Sequence, residues 1–97
     1  MTPEELYVHV INQTKVNAIH PFHKALLEEC CENAANNPDG VTDPTALLIG
    51  VGVAFISAKS SLKSILLAAF EQTSANEVTL NYRNQSFVIP ENSPLLL

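Results

Sequence analysis

Positive charge is scarce in this sequence of 97 residues: five lysines and arginines stand against ten aspartates and glutamates, for a net charge of −5. Nucleic-acid-binding domains usually carry a basic patch, because neutralising phosphates supplies most of their affinity. The composition therefore disfavours a nucleic-acid partner. Charged residues of both signs make up only 15% of the chain, against roughly 25% in an average soluble domain. A surface with few charges favours a buried contact between subunits.

Cysteine is equally scarce, and the two cysteines, Cys30 and Cys31, are adjacent. Neighbouring cysteines rarely pair, which excludes a disulfide framework and favours a reducing compartment. The N-terminal residues lack the basic and apolar regions of a signal peptide. The longest apolar run, Ala46 to Ile56, is shorter than the about 20 residues that span a bilayer. We therefore expect a cytoplasmic protein without a membrane partner.

The length allows a single domain covering residues 1–97. Thr2, Pro3 and Glu5 form the start signal of a helix, with a capping box and a proline in the first turn; a strand from Leu6 to Ile11 is the alternative. His20-Pro21 breaks this arm by a kink or a short gap. The predicted segments are a helical arm (1–36, broken at 20–21), a loop (37–43), a long central helix (44–72), a β-hairpin (77–90) and an apolar-ended tail (91–97).

The central helix is the main feature of the sequence. Asp43 is its expected cap and Pro44 its first residue. From Ala46 to Ile56 it is apolar on every side, and such a helix has to be covered all round. Gly50 and Gly52 lower its helix propensity, so we expect either a close helix–helix approach or a kink. We predict a homo-oligomer interface formed by six residues: Leu47, Leu48, Val51, Val53, Phe55 and Ile56.

A β-hairpin follows the central helix. Residues Glu77 to Tyr82 alternate between polar and apolar, and Phe87 and Ile89 alternate after the turn. A turn centred on Asn84-Gln85 pairs Tyr82 with Phe87 and places the apolar residues on one face. Since an isolated hairpin is marginal in water, it must pack on the helices or against its copy in a dimer.

Few residues suggest chemistry. A helix separates His23 from Cys30 by two turns, too far to share one zinc ion, so His20, His23, Cys30 and Cys31 are expected to be structural. We predict no catalytic or metal-binding site and no cofactor.

A basic, hydroxyl-rich strip on the central helix could bind an anion together with Arg83. Its members are Lys59, Ser60, Lys63 and Ser64. The terminal Leu95, Leu96 and Leu97 could dock onto this subunit, onto a neighbouring copy or onto a partner.

Together these patterns predict an α+β fold, mostly α: an antiparallel helical hairpin, its first arm broken near Pro21, followed by a C-terminal β-hairpin, in a homo-oligomer. The function we expect is that of a small non-enzymatic interaction protein, such as an adaptor, inhibitor or assembly factor of the bacterial or phage accessory type. Its partners would be copies of itself and another protein. The alternative is a module that binds or sequesters an anionic, nucleotide-like ligand at a subunit interface.

Overall fold

The computed structural model describes residues 1–14, 20–37, 40 and 42–96. Within them it contains three helices followed by a two-stranded antiparallel sheet and a short 3-10 turn. The predicted α+β class with a helical majority is therefore confirmed. The chain divides into two compact units, which we call unit 1 (Met1–Ser57) and unit 2 (Ala58–Leu97).

Helix α1 spans Pro3–Thr14 and begins with the predicted capping box. The backbone N of Glu5 donates to Oγ1 of Thr2 over 3.1 Å, and the backbone N of Thr2 donates to Oε1 of Glu5 over 3.3 Å. The hydrogen bond from the Thr2 backbone lowers the pKa of the Glu5 carboxyl, since it stabilises the charged form. The strand alternative for Leu6 to Ile11 is wrong, because this cap satisfies the first backbone donors of a helix.

Helix α2 spans Pro21–Ala35. His20 is its N-cap in extended backbone geometry, and Nδ1 of His20 accepts a hydrogen bond from the backbone N of Phe22 over 3.0 Å. A new helix thus begins at Pro21, where the sequence predicted the break. The part of that prediction that concerns residues 15–19 lies outside the described residues.

Helix α3 spans Pro44–Thr73, one residue longer than predicted, and Asp43 caps it by accepting from the backbone N of Thr45 over 3.3 Å. The ring of His23, near the start of α2, lies edge-on to Phe55 with 6.1 Å between centroids. Ala34, near the end of α2, lines a groove together with Ala46, near the start of α3. Helices α2 and α3 therefore run antiparallel within unit 1.

The first half of α3 belongs to unit 1 and the second half to unit 2. The buried apolar residues of unit 1 lie on all three helices: Leu6, Val10, Phe22, Ala25, Leu26, Leu27, Cys30, Cys31, Leu47, Val51 and Phe55. Those of unit 2 come from the second half of α3, the second strand and the tail: Leu62, Leu66, Phe87, Ile89 and Leu95.

Strands β1 (Glu77–Tyr82) and β2 (Gln85–Pro90) form the hairpin, with Leu80 opposite Phe87 and Val78 opposite Ile89. The predicted pairing of Tyr82 with Phe87 is wrong by two residues; Tyr82 pairs with Gln85. The connecting loop consists of Arg83 and Asn84, both with positive φ (52° and 63°). Such a two-residue turn is favoured because its twist matches that of the strands. A shift of two residues keeps every side chain on its predicted face.

Candidate functional site

The first half of α3 exposes an apolar surface. Leu47, Val51 and Phe55 are buried, with 4%, 1% and 6% of their surface exposed. About half a turn round the helix lie Ile49, Val53 and Ile56, which are 62%, 65% and 69% exposed. We call these three residues the apolar ridge. A contiguous row of exposed aliphatic side chains is typical of a surface that contacts another protein, a membrane or a ligand.

The predicted interface set is thus distributed over both sides of the helix. Leu47, Val51 and Phe55 pack inside the chain, Leu48 is half-buried, and Val53 and Ile56 lie on the exposed ridge. Ile49 belongs to the ridge although the prediction left it out. The three-and-four spacing from Ile49 to Val53 and Ile56 was a signal for it. A helix that is apolar all round, however, does not indicate which side its own chain covers.

A groove runs beside the ridge, between α2 and the first half of α3. Its volume is about 410 Å³. Small side chains make up much of its wall and two asparagines lie along it; the lining residues are Cys30, Asn33, Ala34, Asn37, Ala46, Leu47, Gly50 and Ala54. We call it the small-residue groove.

Among the described residues, no contact requires a glycine at either of the two glycine positions of α3. A Cβ atom added at Gly50 or at Gly52 meets nothing within 4 Å. A glycine inside a helix costs about 1 kcal/mol relative to alanine, and neither position gains a close approach of another element of this chain in return. Among the described residues, no other element of the chain approaches these glycines closely; an approach by a second copy stays a prediction.

The predicted anion-binding strip lies in unit 2. Lys59, Ser60 and Ser64 are exposed and Lys63 is half-buried. The hydroxyl of Ser64 donates to the backbone O of Ser60 over 3.3 Å, so one of the two candidate hydroxyls is already used within the helix. Arg83 is exposed in the β1–β2 turn. Ligand binding by these residues stays a prediction.

Two of the histidines and both cysteines have structural surroundings. His20 caps α2, and His23 is buried against Phe55. Burial raises the pKa of Cys30, and it raises that of Cys31 to about 11, with Cys30, Glu28 and Glu32 adding to the effect on Cys31. A thiol with a raised pKa is a poor nucleophile at neutral pH. Across the described ranges, no group of three or more His, Cys, Asp or Glu residues could hold a metal ion.

The C-terminal tail packs against its own chain. Ser93 and Leu95 are buried, with 3% and 4% exposed, and Leu96 is half-buried. The backbone N of Leu95 donates to Oγ of Ser93 over 3.2 Å, inside the 3-10 turn Pro94–Leu96. Leu97 lies outside the described residues. Of the three predicted docking leucines, Leu95 is thus occupied within the chain.

Within the described part of the chain, α3 is the one helix that is long and apolar enough to cross a membrane, judged by length and composition alone. Only 17% of its most apolar window is buried, whereas the core helix of a soluble protein is mostly buried. Its uncharged part runs from Pro44 to Ala58, which is about 22 Å of helix, against the roughly 30 Å of a bilayer's hydrocarbon core. The next residue is Lys59.

No known protein family matches this chain, and no curated protein or solved structure matches it either.

Proposed function

We propose that this chain is a small non-enzymatic interaction protein that works as a homo-oligomer, held together through the apolar ridge of α3. The proposal rests on one observation: Ile49, Val53 and Ile56 form an aliphatic row, each more than 60% exposed, on the side of the helix opposite its buried residues.

Burial of the ridge would offset much of the free-energy cost of association. Burying the exposed part of one valine or isoleucine is worth about 1–2 kcal/mol. A symmetric dimer would bury six such side chains, three from each copy. That sum is comparable with the roughly 4–15 kcal/mol lost in translational and rotational freedom on association. The ridge is therefore sufficient for a dimer only if the surface around it also packs well.

The non-enzymatic part of the proposal is supported by what the reactive side chains do. His20 and His23 serve a helix cap and a ring contact. Burial keeps both cysteine thiols protonated at neutral pH. In an adaptor, inhibitor or assembly factor, these histidines and cysteines need only stabilise unit 1. The assembled oligomer would bind another protein through its outer surface.

Sedimentation velocity, or light scattering coupled to gel filtration, tests the proposal at about 10 μM protein, a concentration at which a micromolar dimer is populated. We expect the wild type to have at least twice the monomer mass. Val53→Asp places a charge on the ridge and should yield a monomer, because an unpaired buried charge strongly disfavours association. Val53 is 65% exposed, so the helical circular dichroism of the variant should be unchanged.

Ser61→Asp is the matched control, since Ser61 is an exposed residue of α3 about 80° round the helix from Val53. It adds the same charge away from the ridge and should leave the mass unchanged. A monomeric wild type would contradict the proposal, and so would a Val53→Asp variant that keeps the wild-type mass.

A further inference from the structure

The hairpin of unit 2 has an open edge along β1. The backbone N of Glu91 donates to the backbone O of Asn76 over 3.0 Å, so these two residues continue the ladder of the hairpin as a hydrogen-bonded pair. Hydrogen-bonded and non-hydrogen-bonded pairs alternate in an antiparallel sheet. The backbone N–H and C=O groups of Glu77, Thr79 and Asn81 therefore point away from β2. We call these three residues the β1 edge.

The β1 edge is a row of backbone donors and acceptors that the hairpin does not use. The described residues form a sheet of two strands only, and none of their other elements makes a backbone hydrogen bond to the edge. Natural sheets protect such an edge with proline, lysine or a bulge. The β1 edge has none of these, since its pairing with β2 is continuous, whereas β2 ends at Pro90, which lacks an N–H group.

The apolar face of the hairpin is also less well covered at β1 than at β2. Phe87 and Ile89 of β2 are buried, with 8% and 0% exposed. Leu80 and Val78, which lie opposite them on β1, are only half-buried. The strand with the open backbone groups is thus also the strand whose apolar side chains the chain covers incompletely.

We infer that β1 of one copy pairs antiparallel with β1 of a second copy, which joins two hairpins into a four-stranded sheet. This contact lies in unit 2 and goes beyond the proposed function, which concerns the ridge of unit 1. With Thr79 of both copies on the two-fold axis, Glu77 of each copy lies opposite Asn81 of the other. Every outward N–H of both edges then donates to an outward C=O, whereas a shift by two residues leaves part of each edge without a partner.

The side chains are compatible with this register. On the inner face, Val78 of each copy lies opposite Leu80 of the other, which extends the apolar face. On the outer face the two Thr79 side chains meet, and such a pair is favourable across strands. Each Glu77 carboxylate lies opposite an amide, and the two carboxylates are roughly 14 Å apart, beyond the screening length of about 8 Å at physiological salt.

Charge favours a second unit 2 at this edge. Unit 1 has seven acidic residues and two basic ones, whereas unit 2 has three of each and no net charge. The charged residues of unit 2 are Lys59, Lys63, Glu71, Glu77, Arg83 and Glu91. Two copies of unit 2 therefore approach each other without the net repulsion that two copies of unit 1 meet.

The pairing should be weak on its own. Each hydrogen bond of the edge replaces one with water and adds little net affinity, so we expect a dissociation constant on the order of 0.1–1 mM. At about 10 μM protein the edges are then mostly unpaired, and the loss of the ridge contact in Val53→Asp remains visible. Two different self-contacts on one chain permit assemblies larger than a dimer at high concentration.

Nuclear magnetic resonance of the Val53→Asp variant tests the pairing apart from the ridge contact. Between about 50 μM and about 1 mM protein, the backbone amide signals of the β1 edge should shift with concentration. In a mixture of labelled and unlabelled protein, an Overhauser effect should join Hα of Val78 in one copy to Hα of Leu80 in the other. These two residues form a close, non-hydrogen-bonded pair across the inferred contact.

Thr79→Pro removes the central N–H of the edge, which the hairpin does not use, and edge strands tolerate proline at such a position. It should raise the dissociation constant about tenfold or more, because the two central hydrogen bonds are lost. Val88→Pro is the matched control, since Val88 lies opposite Thr79 on β2 and its N–H points to the other edge. It should leave the dissociation constant within about threefold.

A second pair of variants keeps the hairpin intact if proline unfolds it. Thr79→Lys places two like charges opposite each other on the two-fold axis, which opposes pairing. Val88→Lys adds the same charge at an exposed position of β2, away from the contact. The amide shifts with concentration should be reduced in Thr79→Lys and retained in Val88→Lys.

The outcomes are independent of those for the ridge. If the β1-edge signals of Val53→Asp stay constant up to about 1 mM, or if the Thr79 and Val88 variants weaken pairing equally, self-pairing of β1 is wrong, whatever the mass of the wild type. If the wild type is monomeric at about 10 μM and its β1-edge signals shift at higher concentration, the ridge contact is wrong and the pairing of β1 stands.

Discussion

Arg83 and Asn84 carry the conformational strain of the hairpin. Both have positive φ, which costs an ordinary L-residue roughly 1–2 kcal/mol and costs glycine or asparagine much less. Asn84 is well suited to its position, and Arg83 is not. The turn nevertheless forms, because Leu80 and Phe87, and Val78 and Ile89, pair across the strands on one face.

Replacing the turn by the preferred sequence should stabilise unit 2. The double change Arg83→Asn and Asn84→Gly introduces the Asn-Gly pair favoured in two-residue hairpin loops, and we expect the free energy of unfolding to rise by about 1 kcal/mol. Urea titration followed by circular dichroism measures it. Asn84→Val is the opposing control and should lower the free energy of unfolding, because a β-branched residue is disfavoured at φ 63°. Equal stability of both variants would show that the turn does not have the assigned geometry.

At the scale of elements, α3 provides each unit with apolar residues at positions four apart. In unit 1 these are Leu47, Val51 and Phe55, and in unit 2 they are Leu62 and Leu66. The hairpin of unit 2 presents Phe87 and Ile89 on one face of β2, and the tail adds Leu95. A two-stranded hairpin is marginal alone, so its stability depends on such apolar neighbours.

The tail leucine should therefore contribute to folding rather than to partner binding. Leu95→Ala removes a side chain that is 4% exposed, and we expect a loss of about 2–4 kcal/mol in the free energy of unfolding. Leu96→Ala is the matched control at a half-buried position and should cost clearly less. Amide hydrogen exchange of β1 and β2 should accelerate in the first variant only. If Leu95→Ala unfolds like the wild type, the tail does not dock as described.

At the scale of the whole molecule, acidic charge and an uncharged helical surface predict how association depends on salt. The net charge of −5 makes two copies repel each other, while the ridge and groove contain no charged residue. Screening weakens the repulsion and leaves apolar contacts intact. Association should therefore become tighter between about 50 mM and about 500 mM NaCl.

Sedimentation equilibrium across this salt range provides the measurement. An interface that instead joined the Lys59 and Lys63 strip of one copy to the acidic face of α2 in another would weaken as salt rises, because its ion pairs are screened. The double variant Lys59→Ala and Lys63→Ala is the control. If the copies meet through the apolar ridge, association of this variant should still become tighter as the NaCl concentration rises.

The sequence by itself determined the elements of this protein. The Thr2–Glu5 capping box, the proline at the start of α2 and the Asp43 cap gave helix starts that the structure confirms, because caps act through neighbouring residues only. Strict alternation determined which side chains of the hairpin share a face. It did not determine the register, since a shift by two residues preserves the alternation and only the turn geometry at Arg83 and Asn84 decides between the two pairings.

Only the tertiary structure decided which side of α3 is free. From Ala46 to Ile56 every direction round the helix is apolar, so periodicity alone cannot distinguish Leu47, Val51 and Phe55, which face their own chain, from Ile49, Val53 and Ile56, which do not. The position of α2 makes that distinction, and it forms the groove at Gly50 as well. Burial depends on contacts between residues distant in sequence, whereas helix formation depends mainly on residues within four positions of each other.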